Sequence, residues 1–220
     1  LEEQHKSVDR TIRWAQRCRR EFDRLIKEKK LSDERRPQIF GVIQGGGSET
    51  LRRQCAEALF ELEFDGYGYG GWPLDSEGQL VDDMLQFTRS LVPAHLPMHA
   101  LGVGHPLNIA ACSSMGYGIF DSALPTRDAR RGRLYTLRPG TTPSPTHNDW
   151  FKFIYLQDDK HVKTNRPLDE SCDCRVCQRY TIGYLHHLYK QSEVTFMRLA
   201  TLHNLRFMMR LMESLRGQSA

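Results

Sequence analysis

Hydrophobic and polar positions follow two alternating patterns in the first part of the chain. A helical spacing of apolar residues over 7–30, with Ser7 as the expected N-cap, precedes the short apolar run 39–43. A second helical pattern begins after Ser48. Strand and helix patterns then recur over 66–70, 81–91, 98–103, 106–115 and 119–121. Short apolar runs that alternate with helices are typical of parallel βαβ units, so we expect an α/β fold.

The pattern changes after Pro139. Thr, Ser and Pro residues dominate 140–145 and predict an exposed loop or linker, and an irregular polar segment surrounds the apolar patch 150–156. Helical spacing returns over 178–188 and 193–215. We therefore expect two domains, one of residues 1–139 and one of residues 140–220.

The composition is that of an ordinary globular protein. The chain has 220 residues, of which 39% are hydrophobic and 26% are charged, and its formal net charge is +4. No apolar run approaches the ~20 residues that cross a bilayer, and the charged N-terminal residues do not form a signal peptide. We expect no membrane partner. Because the sequence does not start with Met, we also expect a piece of a longer protein.

Basic residues cluster in one short segment. Five arginines lie between positions 127 and 138, where the only acidic residue is Asp128. Such a cluster can bind the phosphates of a nucleic acid, but a solvated basic loop has the same pattern. The spacing alone leaves both interpretations open.

Three of the six cysteines lie within six residues of one another. Cys172, Cys174 and Cys177 have the spacing Cys-x-Cys-x2-Cys, which suits a shared metal ion better than mutual disulfides. A closed tetrahedral zinc site needs a fourth ligand, and His203 on the last predicted helix is the expected one.

His186 and His187 are alternative ligands. At most one of them can face a metal, because adjacent residues of a helix point about 100° apart. We expect one structural Zn²⁺ per chain, since a closed site leaves no coordination position for a substrate. The remaining cysteines lie singly in amphipathic segments, as buried apolar side chains do: Cys18, Cys55 and Cys112. This use of cysteine predicts a reducing, cytoplasmic location.

Several segments match the motifs of one protein family. The longest is Phe-Asp-Ser-Ala-Leu-Pro-Thr-Arg-Asp-Ala-Arg-Arg-Gly at 120–132, which resembles the F-D-[CS]-x-x-P-T-R-x-[AG]-R-x-G segment of tRNA-guanine transglycosylases, also called queuine tRNA-ribosyltransferases. The family's F-G-[IV]-x-Q-G-G, G-[YF]-A-x-G-G and [ML]-G-V-G segments are similar to residues 40–46, 66–71 and 101–104. The spacing of the three clustered cysteines and His203 is that of the family's zinc site. The resemblance covers nearly the whole chain, in order.

The resemblance implies a fold. It is the C-terminal half of a TIM-type (β/α)8 barrel with an inserted or appended zinc-binding subdomain and C-terminal helices. A complete barrel takes ~250 residues. The barrel in residues 1–139 is therefore expected to be partial, and the chain alone is expected to be an incomplete catalytic unit.

The resemblance also implies an activity. The family replaces guanine in tRNA, at the anticodon wobble position in bacteria and eukaryotes, by a 7-deazaguanine base such as queuine or its precursor. The reaction is a glycosidic substitution with retention, in which a carboxylate holds the ribosyl group covalently. The implied partners are tRNA, the free 7-deazaguanine base and a second subunit, in a homodimer or a heterodimer.

Site residues follow from the matching positions. Asp121 matches the family's nucleophile, and Leu101 replaces a Met that packs on the face of the base. The positions that match purine-binding residues are Gln44, Gly70 and Gly71. The positions assigned to tRNA binding are Arg127, Arg130 and Arg131.

The sequence also departs from the family. In the family's L-x-V-G-E segment the Glu reads the substituent of the base; here that position falls on Ser76, or on Glu77 after a shift of one residue. The identity of the incoming base therefore stays open. Neither the S-D-S-G-G-[YF]-Q motif of the general base nor the purine-binding F-D-E-C-like motif occurs. Two alternatives remain: a non-catalytic zinc-containing partner subunit of a heterodimer, and a base-exchange enzyme that acts on DNA.

Overall fold

A computed structural model describes residues 2–218, which form a mixed α/β protein. The chain divides into two compact units. The first contains the residues up to Val103 together with Cys112–Asp121, and the second contains Gly104–Ala111 and the residues from Ser122 onward. The end residues of the two predicted domains, Leu1, Ser219 and Ala220, lie outside the described residues. Of the helices within residues 2–218, none is long and apolar enough to cross a membrane.

The first unit is built on a parallel sheet. Its elements are α1 (Glu2–Glu28), β1 (Phe40–Ile43), α2 (Glu49–Phe60), β2 (Gly66–Tyr69), α3 (Asp82–Leu91), β3 (Met98–Ala100) and β4 (Ile119–Phe120). The strand order is β1-β2-β3-β4, and every neighbouring pair is parallel. Helix α4 (Pro106–Ser114), between β3 and β4 in the sequence, has residues in both units. The predicted alternation of strands and helices is confirmed.

Helix α2 supplies much of the core of this unit. Ser48 is its N-cap and accepts a hydrogen bond from the N–H of Leu51, as the sequence predicted. Leu51, Cys55 and Leu59 recur at helical spacing and are buried. Every residue of β2 is buried as well, which is expected of a central strand in a parallel sheet.

The second unit combines a β-hairpin with helices. Its elements are α5 (Leu124–Arg130), β5 (Arg133–Leu137), β6 (Phe151–Tyr155), a 3₁₀ turn (Asp159–His161), α6 (Arg175–Arg179), α7 (Ile182–Lys190) and α8 (Val194–Gln218). Strands β5 and β6 are antiparallel, with Arg133 opposite Tyr155. Aromatic rings of both strands pack with Phe207 of α8. Helix α8 also contacts α5, α6 and α7 and so connects the parts of this unit.

Three local predictions differ from the structure. Ser7 lies inside α1 and is not its N-cap, because the helix begins earlier, at Glu2. Glu2 and Glu3 lie in its first turn, where negative charge stabilises a helix. The apolar patch 150–156, which the sequence placed within an irregular segment, contains strand β6, because its backbone pairs with β5, the preceding strand. Cys18, which was expected to be a buried apolar side chain, is exposed, because α1 turns little of its surface inward and Val8 is the residue that it buries.

Candidate active site and metal centre

The carboxyl ends of the four parallel strands lie at one edge of the sheet. Ile43, Tyr69, Ala100 and Phe120 are aligned across it as successive register partners. The next residue of each strand is a residue that the sequence had assigned to the base-exchange site: Gln44, Gly70, Leu101 and Asp121. Ligands of open parallel sheets bind at this edge.

Asp121 is the carboxylate of this edge. Its Oδ1 atom lies 2.8 Å from Nε2 of His99 and accepts a 3.0 Å hydrogen bond from the N–H of Gly102. Gly102 has a φ of +75°, a conformation that glycine adopts without strain, and this turn directs its N–H to the carboxylate. The Asp121 side chain is 62% exposed. It is therefore both oriented by two hydrogen-bonding groups and open to solvent.

The other strand ends are closely packed. A Cβ at Gly70 would lie 2.6 Å from Cδ of Gln44, so glycine allows the amide to lie against the backbone. A Cβ at Gly68 would lie 2.5 Å from Cδ1 of Leu101, which crosses β2 at that point. Gly71 has a φ of +105°, and its N–H donates to no group among residues 2–218. An amide side chain, a free N–H and an apolar side chain thus share one edge.

The loop after Gly71 forms a small hairpin. Leu74 and Leu80 form a β-bridge, and Asp75 Oδ1 accepts hydrogen bonds from the N–H groups of Glu77 and Gln79. Ser76 and Glu77, the two positions considered for the family's Glu, are both exposed near the tip. Burial alone therefore does not distinguish between them.

The second unit brings the predicted metal ligands together. The three sulfur atoms and a ring nitrogen of Cys172, Cys174, Cys177 and His203 lie within 4.8 Å of one another. All four residues are buried, and Cys174 is also the N-cap of α6. Hydrogen bonds from Cys172 and Cys177 lower the pKa of the Cys174 thiol. Three thiols and one imidazole are a donor set that suits tetrahedral zinc, so this cluster can hold one metal ion.

The orientation of His203 suits this role. Its Nε2 atom lies 2.7 Å from the carbonyl oxygen of Tyr135, which can only accept, so Nε2 carries the proton. Nδ1 therefore presents its lone pair to the sulfurs, which lie 3.3 to 4.0 Å away. A metal-binding histidine is commonly held in this way by a carbonyl on its other nitrogen. His186 instead contacts the carbonyl of Leu156 through Nδ1, 2.6 Å away.

Two arginines of α5 and the arginine that follows its last residue face solvent. Arg127, Arg130 and Arg131 are exposed, and none forms an ion pair with a carboxylate of the described residues. The acidic residue between them, Asp128, is buried and accepts hydrogen bonds of 2.6 Å from Arg133 and the Tyr135 hydroxyl. Three unpaired guanidinium groups therefore remain available for an anionic partner.

Sequence analysis missed two residues of the sheet edge. His99 lies inside β3, and only the pairing of β3 with β4 brings it to Asp121. Arg52 was part of an amphipathic helix pattern, yet it is 1% exposed and donates to three backbone carbonyls. A charged residue at an apolar helical position was the one available signal for Arg52.

The fold and the two sites define a mixed α/β protein with a carboxylate at the carboxyl edge of a parallel sheet and a Cys3His metal-binding cluster. Comparison with known families is consistent with this class: the sequence model of queuine tRNA-ribosyltransferase matches residues 1–218. The chain therefore belongs to the queuine tRNA-ribosyltransferase family.

Curated relatives give the same family. The chain is 37% identical over 214 residues to the queuine tRNA-ribosyltransferases of Bacillus pumilus (strain SAFR-032) and Staphylococcus aureus (strain bovine RF122 / ET3-1). Each alignment covers 96% of this chain and 50% of the relative. The chain thus spans about half the length of the curated relatives it matches.

Proposed function

We propose that this chain carries the nucleophile of an enzyme that exchanges guanine in tRNA, at the wobble position of the anticodon, for a 7-deazaguanine base. The observation that carries the proposal is the alignment of Gln44, Gly70, Leu101 and Asp121 at the ends of four adjacent parallel strands. One carboxylate and several base-reading groups are what such an exchange requires. Family membership supports the general reaction.

Asp121 is the proposed nucleophile. Its carboxylate attacks C1′ of the ribose, the bond between C1′ and N9 of guanine breaks, and guanine leaves with the electron pair and takes up a proton. N9 of the incoming base then attacks C1′ from the face that guanine left, loses its proton and releases the carboxylate. Each displacement inverts the configuration at C1′, so two displacements in succession retain it. The contacts from His99 and Gly102 support this role because they fix the carboxylate orientation before attack.

Gln44, Gly70, Gly71 and Leu101 are the proposed base-binding residues. The Gln44 amide can both donate and accept, as the edge of a guanine-like base requires. The free N–H of Gly71 adds a donor, and the side chain of Leu101 provides an apolar surface for the base. We leave the choice between queuine and a precursor open, since Ser76 and Glu77 are both exposed.

Arg127, Arg130 and Arg131 are the proposed tRNA contacts. Exposed guanidinium groups without carboxylate partners can bind phosphates without breaking an existing ion pair. The target nucleotide must leave its stack to reach a carboxylate at a sheet edge, so the anticodon loop is the expected substrate form.

The Cys3His cluster is proposed to hold one structural Zn²⁺. A bound zinc ion would cross-link the loop of Cys172, Cys174 and Cys177 to α8 through His203. The chain supplies further bonds between the same elements: Arg206 of α8 forms two hydrogen bonds of 2.7 and 2.8 Å with the Asp173 carboxylate.

The larger architecture follows the same proposal. We propose that residues 1–139 form the C-terminal half of a (β/α)8 barrel and that residues 140–220 form the zinc-binding subdomain with its C-terminal helices. The four-stranded parallel sheet supports the first part. Because the family's general-base motif does not occur in this sequence, the chain alone is proposed to be an incomplete catalytic unit. A cytoplasmic homodimer or heterodimer is the proposed working form.

The test is capture of the covalent intermediate. The natural full-length protein is incubated with tRNA, denatured, and analysed for an RNA–protein adduct. We expect an adduct with the unmodified protein and with Asp83→Asn, an exposed acid of α3, and none with Asp121→Asn. An adduct in Asp121→Asn contradicts the role of Asp121. An adduct formed with single-stranded DNA but not with tRNA contradicts the assigned substrate.

A further inference from the structure

Arg52 is a buried cation behind the sheet edge. It lies in α2 and is 1% exposed. Its Nε–H donates to the carbonyl of Gly46 at 2.8 Å, Nη1 donates to that of Ile43 at 3.2 Å, and Nη2 donates to that of Gly70 at 3.1 Å. One side chain therefore connects the ends of two neighbouring strands.

The charge of Arg52 has no carboxylate partner among residues 2–218. Its guanidinium instead lies over the ring of Tyr69, with Cζ 4.0 Å from the ring centroid. Burial lowers the pKa of this guanidinium, yet an arginine remains charged in proteins. A buried charge is costly unless polar groups compensate it. The hydrogen bonds to the three carbonyls provide that compensation, so moving any of these carbonyls away from Arg52 is unfavourable.

The three carbonyls belong to the two proposed base-reading segments. Ile43 directly precedes Gln44, and Gly70 belongs to the proposed base site itself. The chain around Gly45 approaches Arg52 so closely that a Cβ would lie 2.6 Å from the backbone nitrogen of Arg52 and 2.7 Å from its Cγ. Glycine thus lets the first segment pack directly against the residue that holds it.

Arg52 also orients the N–H of Gly71, the free hydrogen-bond donor of the proposed base site. The peptide bond between Gly70 and Gly71 is trans, so the N–H of Gly71 points away from the carbonyl that Arg52 holds. A guanidinium bound to that carbonyl polarises the peptide group and makes the N–H a better donor. Among residues 2–218, no group accepts a hydrogen bond from the N–H of Gly71.

We propose that Arg52 is a positioning residue for base recognition: it sets the spacing between the Gln44 and Gly70 segments and directs the N–H of Gly71 to the purine. The inference rests on the proposed base exchange and deepens it. Arg52 does not touch the base. It acts through the carbonyls of Ile43, Gly46 and Gly70.

The experiment separates base recognition from folding. Arg52→Met keeps much of the side-chain volume, and Arg52→Lys keeps the charge but cannot reach three carbonyls at once. In the full-length protein we expect the KM for guanine to rise about tenfold or more in Arg52→Met and less in Arg52→Lys, with the KM for tRNA unchanged. Arg53→Met is the matched control, because Arg53 is an exposed neighbour on α2. Circular dichroism and a thermal melt establish that each variant is folded.

A folded Arg52→Met with the guanine KM of the unmodified protein overturns the inference, and so does an equal loss of guanine and tRNA affinity. If the variants do not fold, hydrogen exchange in the unmodified protein decides: guanine should protect segments 43–47 and 69–72 together, and protection of only one contradicts their coupling. An unmodified protein that neither binds nor exchanges guanine contradicts the proposed function instead.

Discussion

The imidazole Nε2 of His99 lies 2.8 Å from Oδ1 of Asp121, across the pairing of β3 with β4. The same carboxylate oxygen accepts the N–H of Gly102. A nucleophile that is held by two donors loses little rotational freedom when it attacks. We therefore propose His99 as a positioning residue that would act through Asp121, the proposed nucleophile.

Replacing His99 tests this relationship. In the full-length protein, His99→Phe should lower kcat by roughly 10- to 100-fold, the equivalent of one hydrogen bond to a charged group, with the KM for tRNA unchanged. His99→Gln retains a donor and should recover part of the loss. Single-turnover adduct formation measures the effect, with His95→Phe, an exposed histidine, as control. Equal rates in His99→Phe and the unmodified protein would exclude the positioning role.

The arginines of α5 should act by binding phosphates. Substituting Arg127 or Arg130 by Gln should weaken tRNA binding, and the slope of log K against log salt should become shallower by about 0.7 for each phosphate that is no longer neutralised. Fluorescence titration at several salt concentrations measures both. Arg198→Gln, an exposed arginine of α8, is the control. Unchanged salt dependence in the double variant would argue against phosphate binding by α5.

The cysteine cluster should hold one zinc ion that stabilises its unit. Cys174→Ser removes one ligand, so we expect zinc content to fall and the melting temperature to drop by roughly 10 °C, as the loss of a structural metal is among the largest single effects. Cys18→Ser is the control, because Cys18 is exposed on α1 and outside the cluster. Elemental analysis and a thermal melt measure both quantities. A zinc-free unmodified protein with the same melting temperature would contradict the assignment.

His105 should make the second unit sensitive to acid. Burial, then Arg133, lowers the pKa of His105, while Asp128 raises it less. Because the folded pKa is below the unfolded value, the unfolded chain binds the proton first as the pH falls below about 6.5. The free energy of unfolding should therefore decrease from pH 7 to pH 5.

The contribution of His105 appears as a difference between two profiles. His105→Gln should show a smaller decrease in unfolding free energy over that range, and subtraction removes effects common to both proteins, such as metal release. His147→Gln replaces an exposed histidine and should follow the unmodified protein. Chemical denaturation at each pH measures the profiles. A steeper decrease in His105→Gln would reverse the assigned sign.

Local pattern predicted the repeating parts of this molecule. The alternation of apolar runs and helical spacing identified the parallel strands, and Ser48 identified the start of α2. The Cys-x-Cys-x2-Cys spacing predicted that three sulfur atoms lie together, because residues so close in sequence are close in space. These features depend on neighbours a few residues apart, which is the range that a sequence pattern records.

Only the tertiary structure decided which distant residues meet. The Arg133–Leu137 strand pairs with Phe151–Tyr155 through contacts that neither segment specifies alone. The carbonyl of Tyr135 determines which ring nitrogen of His203 carries the proton, and the contact with His99 orients the Asp121 carboxylate. Arg52 lies on a helix in a position that the sequence assigns to its apolar face. It is buried there because three carbonyls from two strand ends replace its water, and their arrangement exists only in the folded sheet.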